Sequence, residues 1–91
     1  MTSLQRRLGK AVRRLRSEAG YSQEGFADHV GVHRTTMGRI ERGAFNVTLE
    51  TIERIAKGLR MPVSRLLAEA EAEGRRGTPR AADADGPQPR D

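Results

Sequence analysis

Apolar residues recur at intervals of three and four along most of the chain, the spacing that places side chains on one face of an α-helix. Leu4, Leu8, Ala11, Val12 and Leu15 form the first stripe, and Gly20 is placed to end that helix in the left-handed conformation. Ser22 is a suitable N-cap for a second helix reaching about His29, with Phe26, Ala27 and Val30 on its inner side. Gly31 falls at a joint, where freedom to take positive φ lets the chain reverse in few residues. A third helix then runs from about His33 to Arg42, turns Met37 and Ile40 inward, and stops at Gly43. After a loop over 44–47, Thr48 is a good N-cap for a fourth helix whose stripe is Leu49, Ile52, Ile55, Ala56 and Leu59. Pro62 suits the first turn of a fifth, with Val63, Leu66, Leu67 and Ala70 on its apolar side.

No segment alternates as a strand does, and nothing repeats. The pattern therefore predicts an all-α domain of five helices over residues 1–73. From Gly74 to the end there is no leucine, isoleucine, valine or aromatic residue. Such a segment cannot bury enough apolar surface to offset its ordering entropy, so 74–91 is expected to be a disordered tail. Gly25 and Gly38 fall inside expected helices, each at a cost of about 1 kcal/mol relative to alanine.

Once the inner faces are assigned, Arg34, Thr35, Gly38, Arg39 and Arg42 are left pointing outward from the third helix. That is a surface suited to lie against nucleic acid. Charge agrees: 17 Lys and Arg against 12 Asp and Glu give +5. The excess is uneven, because Arg6, Arg7, Lys10, Arg13, Arg14 and Arg16 precede the first acid, Glu18, whereas Glu69, Glu71 and Glu73 make the end of the domain acidic. A basic stretch favours phosphate partners and speeds encounter without conferring sequence preference. The first helix's cations fit a phosphate-facing surface and a solvated one equally well.

Other chemistries find little support. The chain has 91 residues and no cysteine, hence neither a disulfide framework nor a thiolate metal site. No run is long and apolar enough for a membrane span, and the start lacks the apolar core of a signal peptide, so a cytoplasmic location is expected. His29 and His33 flank the turn but have no third ligand nearby, and no metal or other cofactor is expected. Ser22, Asp28 and His33 supply the residue types of a hydrolytic triad, but on convex helices with no pocket. No enzyme is expected.

Residues 16–67 resemble the helix-turn-helix domain of phage repressors and Cro proteins, the xenobiotic-response-element-type regulators of bacteria. The motifs that carry the resemblance are Ser22-Gln23-Glu24, Phe26-Ala27, Val30-Gly31-Val32, Ile40-Glu41-Arg42-Gly43 and Thr48-Leu49-Glu50-Thr51-Ile52. It implies a lambda-repressor-like fold whose third helix enters the major groove of double-stranded DNA. By position, Arg34, Thr35 and Arg39 are then the base-contacting residues. Gln23, at the start of the second helix, matches the glutamine that clamps a DNA phosphate, and His33, Thr36, Arg42 and Asn46 are further phosphate candidates. Arg16 and Glu41 match a pair that joins the first helix to the end of the recognition helix, a structural role.

Two departures from the family pattern stand out. Arg60 occupies the place of a glycine that usually follows the fourth helix, while Gly58 precedes Leu59. Val47 stands where proline is common.

Small relatives of this type dimerise through the end of the fold that carries Met61, Val63 and Leu67, which makes these three the candidate interface, against the plainer reading that all are core. The resemblance thus implies a homodimeric regulator reading a palindromic operator, which blocks RNA polymerase or, bound just upstream, recruits it. In size and layout the chain is similar to the controller proteins of restriction–modification systems, which regulate their own operons. An antitoxin that binds a toxin and represses the shared operon is the alternative, and a protein-interaction module with no DNA partner a further one.

Overall fold

The computed structural model describes residues 3–76. Five helices follow one another: α1 (Leu4–Glu18), α2 (Gln23–Val30), α3 (Arg34–Arg42), α4 (Leu49–Gly58) and α5 (Val63–Arg76), with no strand among the described residues. Side chains satisfy orphan amides at the start of four of them. Ser3 Oγ accepts from the Arg6 amide at 3.2 Å and Ser22 Oγ from Gly25 at 3.0 Å. His33 Nδ1 accepts from Thr35 at 3.1 Å, and Thr48 Oγ1 from Thr51 at 3.2 Å. Each such cap is worth about 1 kcal/mol. Pro62, expected in the first turn of α5, instead sits one place before its first residue, its carbonyl accepting from the Arg65 and Leu66 amides.

The first four helices stop in the same way. A residue with positive φ follows the last turn, its amide bonds back three residues, and the next amide reaches back five. At the joint of α2 and α3 this residue is Gly31 (φ 75°), with Val32 N–H donating to the Ala27 carbonyl at 2.9 Å. After α4 it is Arg60 (φ 60°), with Met61 N–H donating to Ala56 at 3.0 Å. Left-handed backbone costs an L-residue about 1–2 kcal/mol that glycine avoids. Gly58 cannot be the stop, because its missing side chain is what lets α4 touch α2: a Cβ there would collide with Val30 and lie 3.3 Å from His29.

Phe26, Met37, Ile40, Ile55, Leu66 and Val12 are fully buried at the meeting of the five helices. Each contributes roughly 1.5–3 kcal/mol by leaving water. Leu4 and Leu49 depart from the sequence reading, at 46% and 75% exposed. Both are first residues of their helices, before the stripe has turned onto the core. Leu67 is half-buried and lies outside the core cluster, which Leu66 and Ala70 complete. Gly9 brings α1 against the backbone of α3, where a Cβ would collide with the Ile40 and Glu41 carbonyls.

Helix α5 runs to Arg76, three residues into the expected tail, and the rest of that expectation, 77–91, lies outside the described residues. Its packing against α1 is the most extensive in the fold. Arg14 Nε donates to Glu73 at 2.7 Å and Nη2 to Glu69 at 2.8 Å, so the acidic end of the domain meets one cation of the basic first helix. Hydrogen bonds from Arg14 and then Arg65 hold the Glu69 carboxyl below its ordinary value of about 4.5. A carboxyl depressed on folding stabilises the fold above its unfolded pKa and loses that contribution as pH falls through its folded one. Acid titration of stability should therefore show wild type and Glu69→Gln converging below about pH 4.5, with wild type the more stable at neutral pH.

Candidate nucleic-acid interface

The two helices joined at Gly31 pack through Phe26, Ala27 and Val30 on α2 and Met37 and Ile40 on α3. That leaves Arg34, Thr35, Arg39 and Arg42 exposed along one side of α3. Gly38 does not share their exposure; it is buried. A Cβ on it would lie 3.4 Å from Arg42 Nη1 and 3.6 Å from Gln23 Oε1, so Arg42 folds back over the glycine toward the start of α2. The Arg42 guanidinium and the N-terminus of α2 thereby converge, two groups that each favour an anion, while the Gln23 amide beside them turns its oxygen toward Gly38 and one N–H toward Glu41.

Arg34 is not free. Its guanidinium lies 3.5 Å from Glu24 and 3.5 Å from Asp28, both on α2. All three side chains are more than half exposed, so these pairs are weak and the arginine can leave them. The Arg39 and Arg42 side chains have no hydrogen-bond or ion-pair partner among the described residues. Thr35 is exposed, Thr36 half-buried, and Asn46 exposed in the loop beyond Gly43. His33 is committed at Nδ1 to capping α3, which leaves Nε2 for any further contact. His29 stacks on Tyr21 with ring centroids 4.8 Å apart.

Beneath this face lies an ion pair. Arg16 Nε donates to Glu41 Oε2 at 2.6 Å and Nη2 to Oε1 at 3.1 Å, with the two side chains 12% and 4% exposed. Arg16 Nη1 donates to the Tyr21 carbonyl at 3.0 Å. Gln23 Nε2 donates to Glu41 Oε1 at 3.0 Å, a bond absent from the sequence reading. The glutamine's second N–H stays available to a ligand while the first fixes the amide. A second unforeseen contact joins α4 to the turn: Arg54 Nη1 donates to the Gly31 carbonyl at 3.0 Å.

On the far side, Met61 and Val63 line an open groove of about 670 Å³ beside α4. They also pack against the core from that side, whereas Leu67 is one turn further along α5 and outside the groove. Among the described residues no three His, Cys, Asp or Glu cluster as metal ligands, and no helix is long and apolar enough to cross a membrane.

A family model described as a helix-turn-helix domain matches residues 7–70. Control protein C.MunI of a Mycoplasma species is 36% identical over 74 residues, 80% of this chain and 100% of that protein. Among solved structures, the restriction-modification controller protein C.AhdI from Aeromonas hydrophila matches with a TM-score of 0.65 at 36% identity, over 67% of this chain and 92% of its own. The controller protein C.Esp1396I, a tetramer in complex with its natural 35 base-pair operator, matches with a TM-score of 0.70 at 27% identity, over 80% of this chain and 96% of its own.

Proposed function

The chain belongs to the helix-turn-helix family of DNA-binding transcription regulators, and we propose that it reads an inverted-repeat operator as a homodimer and so controls a restriction–modification operon. The observation that carries this is the exposed cationic side of α3, with Arg39 and Arg42 unpaired among the described residues and Gln23 held beside Arg42. Laid in the major groove, α3 offers Arg34, Thr35 and Arg39 to base edges. Gln23, Arg42 and Asn46, with His33 and Thr36 at the start of α3, hold the flanking phosphates and fix its register.

One recognition helix reads only a few base pairs. Two related by a twofold axis read a palindrome with half-site centres about 34 Å apart, or a multiple of that. The control-protein relatives favour the restriction–modification setting, and the operator-bound tetramer of one of them favours assembly on DNA. Occupancy is then the mechanism: a dimer seated over a promoter excludes polymerase, and one seated just upstream offers it a surface.

Selection from a randomised duplex pool at near-physiological salt, with complex mass followed by light scattering, tests the reading. An enriched inverted repeat bound by two or more chains is expected. Binding that shows no enrichment and vanishes as salt rises would reduce the basic face to general phosphate attraction.

A further inference from the structure

We propose that Arg6, Lys10 and Arg13 of α1 form a second phosphate-binding strip, which grips the DNA backbone beside the C-terminal end of α3; the proposal rests on the DNA reading above. Helix α1 carries six cations, Arg6, Arg7, Lys10, Arg13, Arg14 and Arg16, and the structure sorts them into two sets. Arg7 Nη1 donates to the Glu71 carbonyl at 3.5 Å, Arg14 clasps Glu69 and Glu73, and Arg16 holds Glu41. The Arg6, Lys10 and Arg13 side chains are exposed, with no hydrogen-bond or ion-pair partner among the described residues. They stand at spacings of four and three, so all three share one side of the helix over about 10 Å.

That side borders the recognition helix. Gly9 brings α1 against the Ile40 and Glu41 carbonyls, and Arg6 lies over Gly43, where a Cβ would strike its backbone and side chain. Arg6 is thus placed at the residue after Arg42. About three turns further along, Arg16 meets Glu41, which in turn holds Gln23. The strip therefore passes the end of α3 between the loop after Gly43 and the start of α2, both read above as phosphate contacts.

Fold stability does not account for the strip. The first turn of α1 has no acid, and Arg6 stands near the positive end of the helix dipole, where a cation is unfavourable. Arg6 with Lys10, and Lys10 with Arg13, are like charges on neighbouring turns, which repel. Glu18, the one acid of α1, pairs with Arg14 instead. Each of these costs is removed by a polyanion. A duplex carries one phosphate charge per ~1.7 Å of its axis, so a strip of this length meets several of them.

The triple variant Arg6→Gln, Lys10→Gln and Arg13→Gln tests this, because glutamine keeps the Cβ and Cγ that rest on Gly43 and removes only charge. Its melting temperature should equal that of wild type or exceed it, since the repulsion within α1 is gone. Titrated with the selected operator and with random duplex near physiological salt, it should bind each roughly ten-fold more weakly, or more, with base preference unchanged. Its salt slope should be shallower by about one for each cation in each chain. Neutral methylphosphonate linkages, placed one at a time along the operator, locate the contact: those under the strip should weaken wild type and leave the variant unaffected. If the variant binds as wild type does while Arg42→Ala weakens both duplexes, the strip is a solvated face and the DNA reading stands. If every linkage that weakens wild type weakens the variant equally, the strip holds no phosphate and the proposal fails. A wild-type chain that binds neither duplex overturns the DNA reading and this inference with it.

Discussion

Replacing Glu41 with alanine lowers folding stability by about 3–5 kcal/mol, as much as truncating a fully buried aromatic residue of the core. The carboxylate is 4% exposed and accepts from Arg16 Nε, Arg16 Nη2 and Gln23 Nε2, so its removal strands a guanidinium that is itself only 12% exposed. The cost comes mostly from that uncompensated charge, because the attraction within an intact buried pair barely exceeds the desolvation of its members. The double change Arg16→Met with Glu41→Leu should accordingly recover most of the loss. Chemical denaturation of wild type, Glu41→Ala and the double variant reads both numbers. A loss below about 1 kcal/mol for the single change would mean that the pair is solvated like a surface one. For a domain with ~5–15 kcal/mol in total, the single variant loses much of its margin. It also releases the amide of Gln23, so its DNA affinity should fall beyond what the unfolded fraction explains.

Four of the five helices could be read from the chain to within a residue or two, because apolar spacing and capping residues state the same boundaries twice. Ser22 and Thr48 each accept the amide three residues on, as their positions imply. Where one signal stood alone, the reading slipped. Leu49 continued the apolar spacing of α4, but a first-turn residue faces away from the core, and 75% of it is exposed. The end of α5 was cut short at Gly74, since composition alone marked it; the Arg14 clasp on Glu69 and Glu73 holds that turn in place, a long-range contact that no local pattern encodes. Arg60 follows the same logic in reverse. Glycine normally announces a left-handed stop, but α4 needs its glycine at Gly58 to touch Val30, and the stop falls to an arginine.

The candidate interface was legible as a set of residues and not as a set of contacts. Counting along a helix puts Arg34, Arg39 and Arg42 on one face. It cannot say that Arg42 crosses Gly38, or that Gln23 is anchored on Glu41. Both depend on side chains from α2 and α3 meeting in space, at separations in sequence that vary with the turn between them. The Glu24 and Asp28 pairs with Arg34 arise in the same way.

Arg34→Ala should change which bases the protein prefers, whereas Gln23→Ala should weaken every sequence alike. The contrast follows from geometry. Arg34 stands at the first turn of α3, where a helix in the major groove presents side chains to base edges. A guanidinium there can grip guanine O6 and N7 together, worth about 1–3 kcal/mol against the wrong base. Release from Glu24 and Asp28 costs less than that, because exposed pairs contribute ~0–1 kcal/mol each. Truncation therefore lowers affinity for the selected operator by roughly ten-fold or more and relaxes preference at one position in each half-site. Gln23 carries no charge and faces the backbone, so its loss lowers operator and random duplex by the same factor and leaves the salt dependence unchanged. Arg42→Ala separates from both: uniform weakening, with the salt slope reduced by about one per chain. Titration of operator and random duplex at several salt concentrations distinguishes the three patterns. If Arg34→Ala instead produces equal losses on both duplexes together with a shallower slope, the arginine binds phosphate. The reading of bases then falls to Thr35 and Arg39 alone.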